Sequence, residues 1–142
     1  MISKQDQQLL LLLRQNARMS ISDLARTLDL SRSTVQNRLA RLEASGVIRG
    51  YSVELGGEYL GNQVEAHVSI KVYQKLTGRT NASLEQISQV AQLYSVSGEY
   101  DLIAIVQAQS LEELSAVLDR IGDLEGVERT NSAVVLETKF RR

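Results

Sequence analysis

Over residues 64–73 apolar and polar side chains alternate without a break. Val64, Ala66, Val68, Ile70 and Val72 take turns with Glu65, His67, Ser69, Lys71 and Tyr73. A period of two puts each set on its own face of a strand, and a helix cannot do that. Before residue 46 the apolar residues instead recur every three or four positions. The first strand period thus appears only after this point, which calls for helices packed on helices first and a sheet-containing domain afterwards. The change falls at GGEYLGNQ, with three glycines in eight residues. We place a link at 56–62, separating a domain of residues 1–55 from one of 63–142.

The first domain reads as three helices. Ser3 and Asp6 stand as cap and acidic first turn of a helix running to about Ala17. Its five consecutive leucines, 9–13, cannot share one face: Leu9, Leu10 and Leu13 form a stripe, and Leu11 and Leu12 point elsewhere. Ser20 and Asp23 open a short second helix ending near Leu28, and Ser31 caps a third after the turn at 29–31. A short helix, a three-residue turn and a longer helix is the spacing of a helix-turn-helix. In the third helix, SRSTVQNRLARLEAS, Val35, Leu39 and Leu42 fall on the core stripe. Ser33, Asn37 and Arg41 lie opposite, Thr34 is beside them, and Arg32 and Arg38 flank the stripe. Small polar residues edged by arginines suit a helix that enters the major groove of double-stranded DNA. Gly46 stops the helix, and residues 47–55 read as a strand or short wing.

The second domain reads βαββαβ. Leu84, Ile87, Val90 and Ala91 recur at helical spacing, and LYSVSGEYDLIAIVQA is two strands joined by SGEYD. Ser110 and Glu113 form a capping box ahead of Leu111, Leu114, Val117, Leu118 and Ile121, and VERTNSAVVLE is the last strand. The class is α+β: a winged helix-turn-helix followed by a ferredoxin-like βαββαβ domain. Its helices cover one face of the sheet. Ile103 and Ile105 point to the other face, which a second chain would cover in a homodimer. His67 belongs to that face as an interface residue.

Charge divides the same way. Residues 1–50 hold eight Lys and Arg against four Asp and Glu, a net of +4; residues 51–142 hold eight against thirteen, a net of −5. A basic half joined to an acidic half suits a polyanion partner for the first. With no Cys, disulfides, thiolate zinc sites and cysteine nucleophiles are excluded. With one His, no histidine-based metal site, cofactor or catalytic residue is expected. No apolar run is long enough to span a bilayer, so no membrane partner is expected, and the expected compartment is the cytoplasm.

These features together resemble the Lrp/AsnC family of transcription regulators over nearly the whole chain. The resemblance rests on Asp6 with Leu9-Leu10, ISDLARTLDLSRSTVQNRLARLEASGVIRGY, Gly61, VSGEYD and GVERTNSAVVLE. The chain departs from the family pattern at Asp29, where Gly is common, at Ser31-Arg32 in place of Ser-Pro, and at Gly56-Gly57 in place of Asn/Asp-Pro. The resemblance implies dimers paired through the sheet domains, assembly to octamers, and an effector, commonly an amino acid, in a cleft between dimers. Residue by residue it picks out Gly98, Tyr100 and Asp101 in the turn, and Thr130, Ser132, Val134 and Val135 on the last strand. Chemically, turn N–H groups bind a carboxylate and Asp101 pairs with an ammonium, the two charges of a free amino acid. Two other functions share the pattern: an architectural protein that compacts DNA, and an enzyme similar to siroheme decarboxylases, which the single His disfavours.

Overall fold

A computed structural model describes residues 2–142. The chain divides into two compact units, one ending at Glu54 and the other beginning at Leu55.

The first unit holds α1 (Lys4–Gln15), α2 (Ile21–Leu28) and α3 (Arg32–Ala44). Each begins after a serine whose Oγ accepts a hydrogen bond from the backbone N–H three residues on. The pairs are Ser3 with Asp6, Ser20 with Asp23 and Ser31 with Thr34, each at 3.1 Å. Such a cap is worth about 1 kcal/mol. α2 ends on Asp29 at φ 54°, and the Leu30 N–H turns back to the Ala25 carbonyl at 2.9 Å. That is a Schellman turn with aspartate in the left-handed place glycine usually takes. Leu9, Leu24, Ala25, Val35, Leu39 and Leu42 make the core. Leu11 is exposed as expected, but Leu12 packs against the core. It lies only 60° from Leu9 on the side away from Leu10, and α2 and α3 together cover an arc wider than one stripe.

Residues 47–55, expected as a strand or short wing, form no strand. Ile48 tucks into the core and its N–H bonds the Leu42 carbonyl at 2.9 Å, whereas Tyr51, Val53 and Leu55 are exposed. A strand exists only by pairing, and no neighbouring segment offers this one a ladder. Within the expected link, Gly57–Leu60 forms a single helical turn, α4.

The second unit contains β1 (Val64–Val72), α5 (Thr77–Glu85), β2 (Val90–Ser95), β3 (Leu102–Ala108), α6 (Leu111–Gly122) and β4 (Val127–Val134). The sheet is antiparallel in the order β2-β3-β1-β4. Ala66, Val68, Ile70 and Val72 face the helices, as the alternation requires, and pack with Leu84, Ile87, Leu114, Val117 and Ile121.

Three details differ from the sequence reading. Val90 and Ala91 belong to β2 and not to the helix before it, because β3 pairs with Val90 and again with Gln92, leaving Ala91 at the irregularity between them, and the helix has already stopped at Glu85. Leu111 is exposed: it occupies the first helical position of α6, ahead of the turn that meets the sheet. β4 stops at Val134, short of residue 137, although the Val135 N–H still bonds the Glu65 carbonyl at 2.8 Å. The Ser110 cap at α6 forms, but the Glu113 carboxylate reaches the N–H of Gln109, one residue before the cap, and not that of Ser110. The Glu113 N–H donates to Ser110 Oγ at 3.1 Å, and its carboxylate accepts from Gln89 Nε2 at 2.9 Å and from the Gln109 N–H at 2.7 Å. Those donors, Gln89 first, hold the Glu113 carboxyl below its usual range.

The register fixes what the uncovered face carries. Ile105 lies opposite His67 and Gln92, and Ile103 opposite Ser69 and Tyr94. Ile105 is already buried within the single chain at 8% exposure, and Ile103 is half-buried. His67 Nε2 stands 3.5 Å from Glu65 Oε2, and Gln107 Nε2 donates to the other Glu65 oxygen at 3.2 Å. Among the described residues no helix is long and apolar enough to cross a membrane.

Candidate functional site

Two places bring together the residues singled out in the sequence, one in each unit. The first is α3. With Val35, Leu39 and Leu42 buried, its geometry forces Arg32, Ser33, Asn37 and Arg41 outward, and all four are exposed. Thr34 is half-buried. Its Oγ1 lies 2.7 Å from Ser31 Oγ, which also sits 3.2 Å from Ser33 Oγ, so these three hydroxyls share the helix cap. Gln36, overlooked in the sequence, is exposed on this face, one turn from Ser33 and Ala40; an amide there can read adenine bidentately. The signal was its helical spacing from Ser33.

α1 and α2 carry an acid in the first turn, Asp6 and Asp23, but α3 has none. The positive end of its dipole is therefore uncompensated, which favours a phosphate. Lys4, Arg14, Arg18, Arg32, Arg41 and Arg49 form no ion pair among the described residues, while Arg26 pairs with Asp23. Arg38 departs from expectation. It turns inward to α1, with its guanidinium 2.9 Å from Asp6 Oδ1.

The second place is the turn between β2 and β3. The Val96 N–H donates to the Asp101 carbonyl at 3.0 Å, and Gly98 at φ 114° supplies a backbone state that other residues rarely adopt. The turn leans over the end of β1. The Asp101 N–H donates to the Ile70 carbonyl at 2.9 Å, and Asp101 Oδ2 accepts from the Val72 N–H at 2.9 Å with Lys71 Nζ 3.9 Å away. The turn also reaches the start of β4, where Arg129 meets Glu99 Oε1 at 2.7 Å and stacks 5.0 Å over the Tyr100 ring. The hydrogen bond it donates to Glu99 is the main reason the Arg129 guanidinium holds its proton even more firmly than usual. Neither Glu99 nor Arg129 was singled out in the sequence. Their pairing crosses thirty positions and shows only once the sheet is folded.

Not all the expected effector residues converge. Thr130 pairs with Ile70 and so lies across β1 from Asp101. Ser132 and Val134 pair with Val68 and Ala66, so Val134 is about 13 Å farther along the strand than Thr130. Val135 lies beyond the end of β4.

Comparison with known proteins agrees with this architecture. A family described as the Lrp/AsnC ligand binding domain matches residues 65–142, and one described as winged helix-turn-helix DNA-binding matches residues 2–49. An uncharacterized HTH-type transcriptional regulator of Pyrococcus furiosus is 34% identical over 93% of this chain and 89% of its own. Among solved structures, E. coli AsnC superposes with a TM-score of 0.90 at 25% identity, covering 100% of this chain and 97% of its own. The leucine response regulatory protein LrpA of Mycobacterium tuberculosis gives 0.81 at 34% identity, covering 99% and 96%. Since the Lrp/AsnC ligand binding domain alone matches more than half of the chain and the helix-turn-helix match covers most of the rest, the chain belongs to the Lrp/AsnC family of transcriptional regulators.

Proposed function

We propose that the chain is a sequence-specific regulator that reads double-stranded DNA with α3 and is modulated by an amino acid held at the turn between β2 and β3. The observation that carries the first part is the outward face of α3, where Arg32, Gln36, Asn37 and Arg41 are exposed and no acid occupies the first turn. Arg32 and Arg41 meet phosphates, and Asn37 and Gln36 read base edges. Arg41→Ala is expected to weaken binding and to lower the slope of log K against log salt by about one. Asn37→Ala is expected to relax preference at one base pair, a loss of about 1–3 kcal/mol of discrimination. Titration of both variants against a duplex selected by the wild type checks this; unchanged affinity and preference in both would remove α3 as the reader. Footprinting separates this reading from DNA compaction, since discrete protected sites mean a local regulator and uniform coverage an architectural one.

Support for the second part comes from the charges gathered around one bend: Asp101 and Glu99 for an ammonium, Lys71, Arg129 and the turn's N–H groups for a carboxylate. Ser132, Val134 and Val135 are too far along β4 to join from the same chain, so they serve the turn of a second copy in an assembly of dimers such as an octamer. The relative named for its leucine response puts leucine first among the L-amino acids to be screened by thermal shift. With the best ligand, Asp101→Asn is expected to bind about ten- to a hundredfold more weakly, because a charge-assisted hydrogen bond is lost. The asparagine Oδ1 still accepts from the Val72 N–H, so the bend keeps its shape. Calorimetry showing equal affinities would place the effector elsewhere.

A further inference from the structure

Arg38 looks like a DNA contact in the sequence and behaves otherwise in the fold. Its Nη1 donates to Asp6 Oδ1 at 2.9 Å and to Ser3 Oγ at 3.3 Å, and its Nη2 donates to Gln5 Oε1. Nε is shielded and makes no hydrogen bond. A guanidinium has five N–H hydrogens, so at most one on the terminal nitrogens remains for anything outside the protein. The side chains of Arg38 and Asp6 are only 18% and 15% exposed. Ser3 Oγ, in turn, is the acceptor that caps α1 through the Asp6 N–H. Hydrogen bonds from Ser3 and then Arg38 hold the Asp6 carboxyl below its ordinary range. The second turn of α3 is thereby fastened to the first turn of α1. The fastening lies on the flank of the helix, between the buried row of Val35, Leu39 and Leu42 and the outward row of Asn37 and Arg41.

We propose that Arg38 and Asp6 form a positioning clamp that sets the rotation of α3, and with it the angle at which the outward residues meet base edges. Arg38 acts through the helix and does not touch DNA. This rests on α3 being the DNA reader. Rotation of a helix in the groove moves base contacts out of reach more than it moves phosphate contacts, because base hydrogen bonds are short and directional while phosphate attraction tolerates displacement.

The test uses the full chain with Arg38→Ala, Asp6→Asn, the double variant and Arg41→Ala. Each is titrated across a range of KCl with a duplex selected by the wild type and with a scrambled duplex of equal length. The clamp predicts that Arg38→Ala and Asp6→Asn each lose tenfold or more for the selected duplex, that the double variant is no worse than either, and that binding to the scrambled duplex and the salt slope stay as in wild type. A phosphate contact predicts the opposite pattern. Arg38→Ala would lower the slope by about one on both duplexes, and Asp6→Asn, which removes an acid and frees Arg38, would tighten binding. Loss of folding alone would lower both affinities in parallel, so circular dichroism accompanies each titration. If Arg38→Ala does not fold, Arg38→Lys and Asp6→Glu take its place, with a smaller loss confined to the selected duplex. Tighter binding by Asp6→Asn while Arg41→Ala weakens binding overturns the clamp alone. No effect of Arg41→Ala, alongside indifference to Asn37→Ala, overturns the reading helix and the clamp with it.

Discussion

Gly126→Ala is expected to destabilise the sheet unit by about 3 kcal/mol or more, lowering its melting temperature by about 10 °C or more. Gly126 has φ 95°, where a side chain is strained in any surroundings, and here the surroundings are closed as well. A Cβ would overlap Thr80 Oγ1 and stand 3.0 Å from Leu76 Cβ. Thr80 cannot step aside cheaply. It is fully buried, and its hydroxyl lies 2.9 Å from the Leu76 carbonyl and 3.1 Å from that of Glu125. Gly46 supplies the comparison, since its φ is 78° but nothing lies within 4 Å of the Cβ it lacks. Gly46→Ala is therefore expected to show the backbone cost alone, about 1 kcal/mol. Thermal unfolding followed by circular dichroism measures both. Equal shifts would mean that the contact with Thr80 contributes nothing.

Ile103→Asp is expected to weaken self-association by about a hundredfold or more with the fold intact. In the proposed dimer the uncovered sheet face meets its copy, and an aspartate there becomes an unpaired charge under a second chain. Ile103 is the better probe because it retains surface in the single chain, whereas Ile105 is buried already. Ile105→Asp is expected to damage folding itself. Sedimentation equilibrium distinguishes them: an intact dimer in well-folded Ile103→Asp would move the subunit contact off this face.

The elements were legible wherever one physical signal dominated. Three serine caps marked three helix starts, and the alternation through β1 fixed both the strand and its buried row. The strand at 47–55 misled because Tyr51, Val53 and Leu55 alternate as a strand does, and alternation says nothing of whether a partner exists. Val90 and Ala91 misled because their distance from Leu84 and Ile87 fits a helix equally well. Within α3 the sequence located the exposed face but not the fate of each arginine. Arg38 and Arg41 are three residues apart and equally basic, and what separates them is Asp6, thirty-two positions upstream of Arg38. The pairing of Glu99 with Arg129 was hidden for the same reason.

The Asp101 carboxylate has a tenant in the isolated chain: it holds the amide of Val72, the last residue of β1. In the effector reading proposed above, an arriving ammonium does not fill an idle group but shares one that already fastens the end of a strand. The affinity measured for any ligand there is then a difference between two interactions of the same oxygens, and the unliganded regulator is an ordered state with its own stability. Sensing becomes an exchange of partners, whose threshold concentration is set as much by how firmly the strand end is held as by how well the ligand fits.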